Sequence, residues 1–65
     1  MQARYKAMVV DEDGVAWVYE SAVDRVPIWV MEEDAQPMLM TKKEAEAFLD
    51  TVELLPGERK RIRRA

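Results

Sequence analysis

Apolar runs separated by polar turns fill the first half of the chain, and a helical period follows in the second. Tyr5 to Val10 and Val15 to Glu20 are rich in β-branched and aromatic residues and flank Asp13-Gly14, a hairpin signal. A two-residue turn would pair Val10 with Trp17, and a four-residue loop would pair it with Val15. Both registers place Met8, Val10, Val15, Trp17 and Tyr19 on one face. Tyr5, Ala7, Val9, Ala16 and Val18 then lie on the other, since an even shift keeps faces together. Both faces are apolar, and one helix covers only one of them. Ser21 to Arg25 reads as a connection, with Ser21 able to cap a single helical turn. Val26 to Met31 reads as a third strand, with Pro27 suiting an edge. Glu32 to Gln36 is a polar turn. Pro37 to Met40 reads as a short fourth strand able to pair back on the third.

Thr41-Lys42-Lys43-Glu44 is a capping box, in which hydroxyl and carboxylate satisfy free amides at a helix start. The expected helix runs from Lys42 to Glu53. Ala45, Phe48, Leu49 and Val52 form its apolar stripe, and Pro56-Gly57 stops it. The expected architecture is α+β: a small antiparallel β-sheet of three to five strands with one amphipathic helix packed on one face. Residues 1–58 form one domain, and 59–65 are a basic edge strand or a tail.

Composition narrows the chemistry. The chain has 65 residues, no cysteine and no histidine. Cys–His, Ser–His–Asp and zinc sites are therefore excluded for the chain alone. A chain this small has no room for the deep cleft that a pair of catalytic carboxylates needs. The expectation is a non-enzyme without cofactor or metal. A core of this size rarely supplies more than roughly 3–5 kcal/mol, so a partner or a homodimer is a reasonable addition. No apolar run reaches the roughly 20 residues of a membrane span. The polar N-terminus does not resemble a secretory signal, and a cytoplasmic location in a bacterial host is expected.

Charge is divided along the chain. Residues 1–58 carry five basic and thirteen acidic side chains, net −8. Residues 59–65 carry Arg59, Lys60, Arg61, Arg63 and Arg64, net +5. Asp11, Glu12 and Asp13 occupy one turn, and Glu32, Glu33 and Asp34 another. Glu46, Asp50 and Glu53 recur at i, i+4 and i+7 on the expected helix. Asp11, Asp13, Gly14 and Glu20 also fit part of a calcium loop, but Val9 stands at the first ligand position and the flanks read as strands. That stretch therefore reads as an acidic hairpin turn. Carboxylates one helical turn apart lie roughly 5–6 Å from each other, close to the spacing of successive phosphates. Such rows fit a cationic groove built for nucleic acid. The cations at 59–64 are an alternative nucleic-acid contact, though without aromatic residues to stack bases. Direct nucleic-acid binding is the lesser expectation. Trp17, Tyr19, Trp29 and the methionines suit a core or an interface, and a homo-oligomer formed through a sheet face is the third possibility.

In size and in its acidic clusters (Asp11–Asp13, Glu32–Asp34, and Glu46, Asp50, Glu53) the chain resembles small phage-encoded host-takeover proteins, among them the acidic anti-CRISPR proteins. The resemblance implies a non-catalytic inhibitor that occupies the DNA-binding surface of a CRISPR effector complex as a DNA mimic. The basic segment at 59–64 departs from that pattern.

Overall fold

A computed structural model describes residues 3–65. Four strands and one helix follow in the order β1 (Tyr5–Val10), β2 (Ala16–Val23), β3 (Val26–Met31), α1 (Lys42–Asp50) and β4 (Arg59–Arg64). The strands form one antiparallel sheet in the order β3-β2-β1-β4. This is the α+β architecture that the hydrophobic pattern predicts. The cations at 59–64 belong to an edge strand paired with β1 along its whole length.

The first hairpin differs from both expected registers. Val10 pairs with Ala16, Val9 with Trp17 and Met8 with Val18. The loop is one residue longer than the shorter expectation allows, because Asp11 organises it. Its Oδ1 accepts the amides of Asp13 and Val15, each at 2.9 Å. An odd shift moves every β2 side chain to the opposite face. Trp17 and Tyr19 therefore side with Ala7 and Val9, not with Met8 and Val10.

The remaining corrections lie at connections. Ser21 caps no helical turn: β2 continues to Val23 and turns at Asp24-Arg25, both at positive φ (50° and 67°). Positive φ at both central residues is the tight hairpin geometry whose twist matches the strands. Pro37 to Met40 does not pair with β3. The β1–β2 ladder ends at Met8 and Val18, and β2 has an irregularity between Tyr19 and Ser21. Residues 38–40 fill the resulting gap. The Met38 amide donates to the Tyr19 carbonyl, and Met40 bridges Tyr5. The helix ends at Asp50 rather than Glu53, with Thr51 donating its hydroxyl to the Phe48 carbonyl at 2.7 Å. Val52 still packs on the core, which explains why the apolar period outlasts the helix.

The helix starts at the expected capping box. Ala45 and Leu49 bury against Ala7 and Met40, with Ile62, Val52 and the aromatic group of Tyr19, Trp29 and Phe48 around them. The Tyr19 and Phe48 ring centroids lie 4.2 Å apart. The opposite face is closed by the sheet itself. Glu32 lies across from Ala16 and shares the face of Val18 and Met8. Its carboxylate meets Lys6 at 3.3 Å and Arg63 at 2.7 Å. A flat sheet would hold the two edges roughly 14 Å apart, three strand spacings. The sheet therefore curls, and Met8 and Val18 on its inner face are each only 1% exposed.

Candidate functional site

Three separate stretches of sequence converge at the hairpin end of the molecule. The 11–15 loop is fixed by Asp11, whose second oxygen accepts the Trp17 indole N–H at 3.0 Å. The exit of the helix supplies Val52 and Glu53. The 55–58 turn has Pro and Gly at its centre, with Gly57 at φ 86°, the arrangement of a type II turn. Glu58 fastens this turn twice: its amide donates to the Leu55 carbonyl, and its Oε1 accepts the Leu55 amide at 2.7 Å.

Between these stretches lies a groove of about 190 Å³ lined by Val9, Trp17, Trp29, Val52, Glu53 and Glu58. A wider depression of about 450 Å³ is lined by Asp11, Glu12, Asp13, Leu55, Pro56 and Glu58. Leu55 is 70% exposed. The smaller groove falls below the roughly 300–1,000 Å³ of ligand pockets, and its size suits a single side chain. Its chemistry is an apolar, indole-lined floor beneath carboxylates. That combination receives a cation whose stem is apolar, such as arginine or lysine.

The sequence-derived acidic residues divide into different roles. Asp11 is occupied in the hairpin, and its carboxyl lies below the usual range because the Trp17 indole and the Val15 amide bond to its charged form. Glu12 and Asp13 are exposed beside the groove. Glu32 holds the curled sheet shut and is not free for a partner. Arg63, and then Lys6, lower its pKa. Glu33 and Asp34 are exposed on the turn after β3. The Glu46–Asp50–Glu53 row is split. Glu46 and Asp50 share an open cleft with Lys60 and Arg61, whereas Glu53 belongs to the indole groove. Glu20, aligned above with a calcium ligand, instead accepts the Gln36 amide at 2.9 Å. Trp17 lies on the sheet face against which α1 packs, and its indole lines the groove beside the end of that helix.

Glu58 and Trp29 complete the groove, and charge clustering alone does not reveal them. Glu58 stands isolated in sequence, although its place directly after Pro56-Gly57 marks a carboxylate able to close that turn. Trp29 reaches the site only through its pairing with Tyr19.

The depressed pKa of Glu32 sets a pH dependence. Its folded value lies below the ordinary 4.5. Its contribution to stability is therefore present above about pH 4.5 and lost as pH falls through the lower folded value. Glu32→Gln is expected to flatten the acid limb of a stability-versus-pH curve and to lower stability at neutral pH. Equal acid limbs in urea titrations of the two proteins would contradict this role.

No family model, curated protein or solved structure matches the chain.

Proposed function

We propose that the protein is a non-enzymatic binding protein whose acidic, indole-lined end occupies a basic surface of a larger partner. The observation that carries this reading is the convergence of Glu12, Asp13, Glu53 and Glu58 around Trp17, Trp29 and Leu55. These come from the first hairpin, from β3 and from the 53–58 segment. Asp11 and Glu32, which are occupied in the fold, are not among them, and Glu58 takes part while its Oε1 closes its own turn. The resemblance to phage-encoded inhibitors supports a nucleic-acid-processing complex as the partner, and a CRISPR effector is the specific form of this proposal. Recognition combines carboxylates placed against cations with indole and leucine surface against the apolar stems of those cations. An interface with such an apolar centre resists salt better than a purely electrostatic mimic.

The test is a pull-down with the tagged chain from a bacterial host lysate, washed at low and high salt. A nucleic-acid-processing complex is expected on the beads. It should be lost when Glu12, Asp13 and Glu53 are all changed to Lys. These residues are exposed, and the triple variant should keep its fold by circular dichroism. Equal recovery by a folded triple variant would rule out this end of the molecule as the contact.

A further inference from the structure

The two edges of the sheet are not equivalent. On β3, the Glu32 amide donates inward to Ala16. By alternation, the backbone groups of Val26, Ile28 and Val30 also face β2, and those of Pro27, Trp29 and Met31 face outward. Proline thus removes a donor from the free side of that edge, a common way of blunting it. On β4, the Ala65 amide donates inward to Arg4. Arg59, Arg61 and Arg63 therefore bond to β1, while Lys60, Ile62 and Arg64 direct their N–H and C=O groups outward. No proline interrupts this side, and these six backbone groups form a ready template for another strand.

Charge selects what that strand can be. A second copy of β4 would set +5 against +5 and is disfavoured. Arg59 and Arg61 lie on the face opposite the helix, roughly 6.6 Å apart at two residues per repeat, and Arg63 follows them on that face already paired with Glu32. The other face carries Ile62 between Lys60 and Arg64. Lys60 and Ile62 border a cleft containing Leu49, Glu46 and Asp50, so there the carboxylates of the helix already face Lys60 and the apolar surface is that of Ile62 and Leu49. A segment with acidic side chains at every second position and apolar ones between them matches both faces. A nucleic-acid strand fits less well, because its phosphates would meet Glu46 and Asp50 and β4 has no aromatic side chain to stack a base.

We infer that β4 is a docking edge for an extended acidic segment of a partner protein, which adds to the sheet as a fifth strand beside Lys60, Ile62 and Arg64.

The experiment titrates the full chain with a capped peptide alternating glutamate and valine, with amide hydrogen exchange followed by NMR. In the free chain the amides of Lys60, Ile62 and Arg64 exchange fast, and with peptide they become protected. Lys60→Pro deletes one outward donor while leaving the ladder to β1 intact. It is expected to weaken binding about fivefold, the effect of one hydrogen bond. Lys60→Gln, which keeps the donor and loses the charge, should weaken it about twofold. If Lys60→Pro does not fold, a peptide N-methylated on its β4-facing amides replaces it and should fail to bind. Equal binding by the N-methylated and unmodified peptides, or binding without new protection, would show contact by charge alone and overturn the inference. So would binding of a single-stranded thymidine oligonucleotide but not the peptide, or binding of neither.

Discussion

Leu49→Ala is expected to leave the chain largely unfolded at room temperature. Leu49 is 4% exposed and packs, with Ala45, against Ala7 of the sheet. Truncating a buried leucine costs about 2–5 kcal/mol through lost transfer energy and the cavity left behind. A core of this size supplies about 3–5 kcal/mol in total. The loss is therefore comparable to the whole. Neighbours have little freedom to collapse into the gap, since Ala7 and Ala45 are already the smallest side chains able to line it. Chemical denaturation followed by tryptophan fluorescence checks this through Trp17 and Trp29, which stand beside the helix-covered face. A cooperative transition at the parental midpoint would show that the helix contributes far less to stability than its burial implies. Phe48→Leu should be much milder, because Phe48 is only partly buried and leucine retains most of its contact with Tyr19.

The helix and its face are legible in the sequence because each signal there is local. Thr41 and Glu44 are three residues apart, and Ala45, Phe48, Leu49 and Val52 repeat at a fixed period. The strands are legible for the same reason. Their registers are not. One extra residue in the 11–15 loop exchanges the faces of Trp17 and Met8, and what selects that loop is a set of bonds to one carboxylate, Asp11. The path of residues 32–40 is hidden for a different reason. It depends on where the β1–β2 ladder stops and on Glu32 reaching Lys6 and Arg63, both distant in sequence. The indole groove inherits this difficulty. Asp11–Asp13 and Glu53 stand out as charge, but only the third dimension adds Glu58 and Trp29 to them, and only the β4 cleft takes Glu46 and Asp50 away.

Two glycines at nearly the same φ provide the sharpest test of how the acidic end is built. Gly14 (φ 84°) and Gly57 (φ 86°) both occupy the left-handed region, where a side chain costs about 1 kcal/mol or more. Their surroundings differ. A Cβ at Gly14 would meet nothing within 4 Å, whereas at Gly57 it would lie 2.7 Å from Glu12 Cβ. Gly14→Ala therefore bears the conformational cost alone, about 1 kcal/mol. Gly57→Ala bears it together with a clash, and either the 55–58 turn or the 11–15 loop must move. An additional cost of about 1–3 kcal/mol is expected, the range for forced overpacking. Because that movement separates Glu12 from Glu58, Gly57→Ala should also weaken partner capture in its folded fraction, and Gly14→Ala should not. Thermal denaturation of both variants beside the parent measures the first effect, and the pull-down measures the second. Equal melting temperatures for the two variants would mean that the loop and the turn are not in contact in solution. The acidic end would then be two independent loops rather than one surface, and the groove between them would lose its wall.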